Sequence, residues 1–501
     1  MKRNFAVLFL LVSLLAPATA LAQKPAAVPA KRPDYVVPFV SKTLPNGLEV
    51  IVLPDPSVPL VTVELAVRNG SFTESPEFHG LSHLYEHMFF KPNLAKVLLD
   101  CDTNRVTTGP CTMATTLRSR IGDLSYLNDA DKVSIFNGTT REEIVNYYYT
   151  TTKDYVGTAI RIINDSVRFP VFDEANFENE KKVVIGEIDR HEANPFGYLD
   201  LAMKQKLFYK YPTRKDPAGT RQSVGTATIE KMRTIQSRYY VPNNAALIVT
   251  GDAKPEDVFR LTEQIMGTWE RRAVDPFKEF PLVEHPPLPK SEAVIIERPA
   301  DTLATDSGGG QNVFFEIGWH GPSIGKDDAA TYAADVFSYI ITQPDSRFQR
   351  NLIDSGLAAS VNFGYYTQRN VGPIQLVMMT SPDKAKSALA AAYKEIAAFS
   401  QPNYFTDEEL EAAKTILENN DLFEREKASE YAHTLGFWWS STGIDYFRGY
   451  HAKLRAVSRR DIDRYIKTYV QGKNHVVVAL MSADAKKQAA LTEADLIGGS
   501  N

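Results

Sequence analysis

Cysteine is nearly missing from this chain: Cys101 and Cys111 are the only two in 501 residues. Neither lies just after the N-terminal apolar segment, where a lipid-bearing cysteine would be expected. A surplus of positive charge is missing too. Lys and Arg number 56 against 61 Asp and Glu, for a net charge of -5. With no basic run along the chain, this balance argues against a nucleic-acid partner. The apolar run Phe5–Leu15 is too short to span a bilayer. Gly325-Lys326 continues into Asp327 and lacks the spacing of a phosphate-binding loop. Hydrophobic residues at 44% and charged residues at 23% are ordinary for a soluble globular protein. The length allows two or more domains with substantial cores.

Histidine is also sparse, with nine residues, yet two of them fall in His83-Leu84-Tyr85-Glu86-His87. On a helix, positions three and four apart share a face, so His83, Glu86 and His87 point the same way. Two neutral imidazoles one helical turn apart suit zinc. A free carboxylate beside a zinc-activated water is the general base that metal-assisted peptide hydrolysis needs. The order H-x-x-E-H is the inverted zincin pattern. The bland alternative makes His79, His83 and His87 polar neighbours on a half-exposed helix. Leu81, Leu84 and Met88 form an apolar stripe that sets the His/Glu face beside buried structure, and ionisable groups so placed usually have a partner.

Zinc wants a third protein ligand and an open position. The stretch Phe177–Ile188 reads as a helix with Glu180, Val183, Val184 and Glu187 on one side. One carboxylate could ligate and the other orient a ligand from behind. The alternative pairs both glutamates with Lys181 or Lys182 on a solvated face.

Gly80–Phe90 resembles the catalytic helix of the pitrilysin/insulysin/mitochondrial-processing-peptidase family of zinc peptidases, and Glu180–Glu187 resembles that family's downstream helix. Leu44–Leu48 looks like the opening of its first strand. Asn137-Gly138-Thr139-Thr140 is similar to its substrate-edge Asn-Ala-x-Thr, and Tyr240–Asp252 to the end of its first domain. The likeness covers most of residues 40–485. It implies one Zn2+ per chain held by His83, His87 and Glu187, with Glu86 as base to a zinc-bound water, Glu180 as supporting carboxylate and Asn137 at the substrate. The activity it implies is that of a zinc metalloendopeptidase acting on peptides or unfolded segments.

The N-terminus reads as an export signal: Lys2 and Arg3, the apolar run, then Ala20-Leu21-Ala22 as a small-residue cleavage site. Residues 1–22 are the signal and 23–39 a flexible leader, and a Gram-negative periplasm is the compartment expected. Export permits a disulfide. Cys101 and Cys111 bracket a turn-rich loop and are expected to pair, two free buried thiols being the alternative. Glu187 follows His87 at a longer interval than the family uses, so an insertion is placed at about 93–132.

The remainder reads as a duplication. Ile229–Tyr240 with strand Ala245–Thr250 is matched by Ile462–Val470 with strand His475–Leu480, Asn244 lying on Asn474. The fold class is α+β, with two homologous sheet-plus-helices domains, 40–270 and 293–486, that make half of a clamshell. Residues 271–292 are a Pro-rich linker and 487–501 a tail. Family members with a complete site supply an Arg and a Tyr from the second domain. Here the matching stretch Ser346–Ala359 has Ile353 and Ala359 in their places, and neither can donate a hydrogen bond to a substrate oxygen; Tyr365 or Tyr366 is the alternative donor, though both fall several residues late. The chain is therefore expected to be the zinc-bearing subunit of a heterodimer, with a zinc-free homologous subunit providing the pair. The alternative is a catalytically inactive binding or scaffold subunit of the same fold.

Overall fold

The computed structural model describes residues 35–303 and 311–497. The expected signal and most of the leader lie outside the described residues, as does Gly308-Gly309-Gly310, whose composition reads as a flexible loop. Among the described residues no helix is long and apolar enough to cross a membrane.

Two mixed sheets organise the chain. The first contains β1 (Val40–Thr43), β2 (Glu49–Pro54), β3 (Leu60–Val67), β4 (Ile135–Thr140), β5 (Val145–Thr152) and β6 (Ala245–Gly251), in the order β1-β2-β6-β3-β5-β4. The second contains β7 (Glu292–Glu297), β8 (Val313–His320), β9 (Ser360–Tyr365), β10 (Pro373–Thr380) and β11 (Val476–Met481), in the order β7-β11-β8-β10-β9. Leaving β1 aside, the two orders are the same. β6 runs parallel to β2 as β11 does to β7, and the other neighbours are antiparallel. Residues 44–48, expected to open a strand, form the turn between β1 and β2.

Seven helices position the site and join the two halves: α1 (Leu81–Phe89), α2 (Glu174–Glu192), α3 (Pro195–Leu207), α4 (Ile229–Tyr239), α5 (Asp328–Thr342), α6 (Ala428–Ser441) and α7 (Arg459–Tyr469). Helices of the first half, α1, α2 and α4 among them, bury their apolar stripes with one face of the first sheet in one continuous core. Its opposite face is covered by α6, which comes from the second half. The exchange is mutual: α3, from the first half, lies on β8 and β11 of the second sheet, and Leu199, Met203 and Leu207 join Phe314, Val476, Val478 and Leu480 in one cluster.

Both covered faces carry a buried glutamate at the same place. In the register that lays Asn244 on Asn474, Ile248 and Val478 correspond, and they face Glu64 in β3 and Glu316 in β8. Each carboxylate is bonded by an amide from the next strand. Asn146 Nδ2 donates to Glu64 over 2.8 Å and Gln375 Nε2 to Glu316 over 2.5 Å. Glu64 also bonds the His433 ring of α6. The helix comes this close because residue 436 is glycine: a Cβ there would meet Glu64 Oε1 at 2.5 Å.

A loop of the second half is clamped from the first by charges of both signs. Lys215 Nζ donates to Gln368 and to the carbonyls of Asn370 and Val371, while Glu143 accepts from the N–H groups of Arg369 and Asn370. Val371 holds φ at 55°, a left-handed conformation costly for a β-branched residue.

Residues 94–121 form three short helices, Leu94–Asn104, Pro110–Thr116 and Arg118–Ile121, around a small core of Leu94, Leu98, Ala114, Ile121 and Phe169. Cys101 and Cys111 form a disulfide between the first two, with Cα atoms 5.8 Å apart. The segment expected as a tail is ordered up to 497: Glu493–Ile497 is helical, Leu496 is buried, and its carbonyl accepts from Tyr393 Oη. At the other end, Phe39 of the expected leader is buried against Phe447.

Burial, reinforced by the Asp200 carboxylate, pushes Glu316 up to about 8 from an ordinary 4.5. Between those values the folded chain holds a proton that the unfolded chain has released, so stability falls as pH rises across the window. The slope approaches about 1.4 kcal/mol per pH unit for one proton. Glu316→Gln stays neutral and removes this contribution. Urea unfolding at pH 5, 6, 7 and 8 is expected to show the variant gaining on the wild type toward higher pH.

Candidate metal centre

The helix that carries the motif is fixed at its N-terminus, independently of its polar side chains. Gly80 adopts φ 79°, and a Cβ there would lie 2.7 Å from Gly219 Cα, so only glycine fits. Glu74 then caps α1 from outside its own turn. Its two oxygens accept from Gly80 N at 2.8 Å and Ser82 N at 2.7 Å. Burial pushes this carboxyl up to about 7 despite the two donors. Below the cap, Leu81, Leu84, Tyr85, Met88 and Phe89 are all buried. Tyr85 stacks on Tyr240 and Phe89 on Tyr147, which locks the rotation of the helix about its axis.

That rotation presents His83, Glu86 and His87 to α2. His83 Nε2 lies 3.4 Å from Glu187 Oε2, and His87 Nε2 lies 3.5 Å from the same oxygen. Among the described residues this is the one group of three His, Cys, Asp or Glu donors close enough to hold a metal ion. The set fits zinc. Bonds of about 2.0–2.1 Å in a tetrahedron separate neighbouring donors by about 3.3 Å, close to both observed spacings. Burial, the main cause, pushes His83 down to about 4, so its imidazole is neutral at pH 7 as a ligand must be.

Glu180 stands behind the centre. Its Oε2 lies 3.1 Å from His87 Nδ1, a pairing that places the proton on Nδ1 and leaves the Nε2 lone pair toward Glu187. Lys91 Nζ donates to the other oxygen over 2.6 Å. His83 Nδ1 has no hydrogen-bond partner among the described residues. His79 is no part of the group; it precedes α1 and pairs with Asp216 at 3.1 Å. The stripe expected on α2 is corrected at one residue. Val183 is 41% exposed, and Phe177, Val184 and Ile188 bury the helix instead, because the turn carrying Val183 and Glu187 faces the open side of the site.

Glu86 lies between the two histidines and the sheet. Thr140 Oγ1 donates to Glu86 Oε2 over 3.1 Å, and a Cβ on Gly138 would come within 2.7 Å of Oε1. Burial pushes this carboxyl up to about 7, against the pull of His87 and Thr140. Asn137, Gly138, Thr139 and Thr140 form most of β4, whose outer edge has no neighbouring strand among the described residues. Asn137 is exposed there, its Oδ1 accepting from Gly138 N. The sequence did not point to Glu74, Lys91 or Thr140 as supports. Thr140 ends the Asn-Gly-Thr-Thr segment and so stood within a recognisable pattern, whereas Glu74 has no local pattern to mark it.

Ser346–Ala359 forms a short helical turn, a wider turn over Arg350–Asp354, and the approach to β9. Ile353 is half-buried and Ala359 exposed. Tyr365 and Tyr366 are engaged within the chain: Tyr365 donates to Pro322 O, and Tyr366 stacks on Phe437.

An inverted-zincin donor set on two helices, over a duplicated sheet-and-helix fold, defines a zinc-peptidase class of protein. The family model described as "Insulinase (Peptidase family M16)" matches residues 49–95 and 128–216, and "Peptidase M16 inactive domain" matches 226–417. Together they take in well over half of the chain, which belongs to the M16 peptidase family. The chain is similar to the zinc protease PqqE of Helicobacter pylori, 22% identical over 89% of this chain and 94% of that one. It is 23% identical to the uncharacterized zinc protease YmxG of Bacillus subtilis over 46% of this chain, spanning about half (50%) of that relative's length. Among solved structures, a protease from Helicobacter pylori superposes with TM-score 0.71 at 18% identity, over 89% of this chain and 100% of that one. The periplasmic protease PqqL from Escherichia coli does so with TM-score 0.66 at 16% identity, over 94% and 50%. At these identities the structural likeness establishes the fold.

Glu74→Ala strands two buried N–H groups at the start of α1 and is expected to cost about 2–4 kcal/mol, read by urea denaturation. Glu74→Gln keeps one acceptor but sets its amide NH2 against the other N–H, and is expected to recover only part of that cost.

Proposed function

We propose that the chain is a zinc-dependent endopeptidase that cleaves peptides or unfolded segments, and that it works as the metal-bearing subunit of a heterodimer. The observation that carries this reading is the convergence of His83, His87 and Glu187 with the Glu86 carboxyl beside them. A bound zinc ion would supply Lewis-acid polarisation of a carbonyl and would acidify water. Glu86 takes the proton of the attacking water and hands it to the leaving amine. Glu180, acting through His87, is a positioning residue. A substrate adds as a further strand along the free edge of β4, where Asn137 meets its backbone.

Ile353 and Ala359 put no side-chain donor at the two places where one is expected, and we assign those donors, an Arg and a Tyr, to a zinc-free homologous subunit. The same two residues favour the alternative, a binding or scaffold subunit. Residues 40–270 and 293–486 are taken as the two domains, with the linker at 271–292 and the insertion at about 93–132. The signal-like N-terminus and the likeness to a protease described as periplasmic support export to a Gram-negative periplasm.

Glu86→Gln is expected to keep one zinc per chain by metal analysis and to lower peptide cleavage by about 10²- to 10⁴-fold. His83→Ala and Glu187→Gln are expected to lose the metal. Turnover that survives Glu86→Gln overturns the reading. The purified, zinc-loaded chain alone is expected to cleave a quenched-peptide library weakly or not at all, and full activity of the monomer removes the heterodimer.

A further inference from the structure

Successive side chains of a strand point to opposite faces, and β4 divides accordingly. Gly138 and Thr140 face α1 and the Glu86 carboxylate. Thr139 and Arg141 face the other way, toward α6, and line a cleft of about 330 Å³. Its apolar walls are Ile144, Phe437 and Trp438, and Asn146, His433, Glu424 and Thr434 complete the lining, the Thr434 hydroxyl bonding Glu424. The walls are held from behind. Phe437 stacks on Tyr366 and Trp438 on Phe447, so the rings do not need to be ordered by a ligand.

Two further observations say what the cleft would take. Its volume is at the lower limit of ligand sites, enough for one large side chain rather than a separate molecule. Arg141 makes no ion pair among the described residues and stands exposed at the end of β4. Its guanidinium hydrogen-bonds the Tyr366 side chain, which holds a cation at the edge of the aromatic walls.

Thr139 belongs both to the cleft and to β4, the strand along which a peptide would add. A peptide strand alternates as β4 does, so one of its side chains points toward Glu86 and the next toward α6. We propose that this cleft is a substrate subsite that selects a bulky aromatic side chain of the bound peptide, on the face turned away from Glu86. The inference rests on the peptidase reading for its ligand, and on Thr139, Arg141, Phe437 and Trp438 for its selectivity.

The test uses the full chain as Glu86→Gln, zinc-loaded, so that binding is read without turnover. A Gly/Ser decapeptide carries one p-benzoylphenylalanine, walked along its length, and photo-crosslinks are mapped by mass spectrometry. Crosslinks are expected on residues 434–438 or on Thr139, from alternate peptide positions. A competitor with Phe at the labelling position is expected to suppress them about tenfold better than one with Ser. Thr434→Trp fills the cleft and is expected to abolish the labelling. If that variant does not fold, Arg141→Ala is expected to weaken labelling severalfold. Crosslinks only elsewhere, no crosslinks at all, or labelling indifferent to these variants overturns the subsite. The two readings fail differently. Labelling on α6 with no cleavage of the same peptides by the wild type, alone or with its partner, counts against the peptidase; cleavage indifferent to an aromatic at every position counts against the subsite.

Discussion

Neither sheet can close its own core, and the rest of the molecule is built around that constraint. A sheet with two apolar faces needs both covered. In each half the local helices cover one face, and the other is covered by a helix from the opposite half, α6 on the first sheet and α3 on the second. The exchange makes the halves one cooperative unit despite the duplication in their sequence. It also explains the hydrogen-bonded carboxyl group buried at each crossing. Glu64 and Glu316 sit at corresponding places, each bonded by an amide from the next strand, and an unpaired carboxylate there would cost more than the packing returns. His433 completes the bonding of Glu64, and the same helix turn offers Thr434, Phe437 and Trp438 to the cleft beside β4.

The candidate centre depends on that packing at one remove. α1 and α2 each contribute to a common core with the first sheet, and their polar faces meet only because their apolar faces are held. A rotation of α1 by a few tens of degrees would part His83 and His87 from Glu187. Tyr85 on Tyr240, Phe89 on Tyr147 and the Glu74 cap restrict that rotation. The ligands are thus pre-positioned by groups that never touch a metal, which is how a helix-borne site gains precision over a loop-borne one.

How much of this could be read in the sequence depended on whether the chemistry was local. His83, Glu86 and His87 share one helical face, and Glu180 and Glu187 share another, so helical spacing alone displayed them. The duplication was visible because a helix, a turn and a strand recur with Asn244 and Asn474 in register, and the pairing of Cys101 with Cys111 was legible from a short turn-rich loop in a chain read as exported. Val183 was misplaced because α2 packs on Phe177, Val184 and Ile188, a choice made by its neighbours rather than by its own periodicity. Glu74 capping α1, Glu64 beneath His433, and Lys215 with Glu143 around 368–371 escaped notice for a common reason. Each joins groups that no repeat or motif relates, several of them across the two halves, and only the folded arrangement brings them together.

The second half shows what the duplication preserved and what it let go. Strand order, the buried glutamate and the helix exchange are common to both sheets, since each is required to keep a two-faced sheet closed. Donors toward a substrate are not required for closure, and at Ile353 and Ala359 the second half has none. Hydrophobic and small residues at those places cost the fold nothing, whereas in a self-sufficient enzyme they would leave a developing negative charge without a partner. The asymmetry therefore lies in the chemistry and not in the architecture, and it is what leads us to place the missing donors on another chain. A scaffold subunit would have been equally free to lose His83, Glu86 or Glu187, for none of them is needed to close the core. That all three stand together on one side of α1 and α2, with Glu180 behind them, weighs toward a chain still used for hydrolysis.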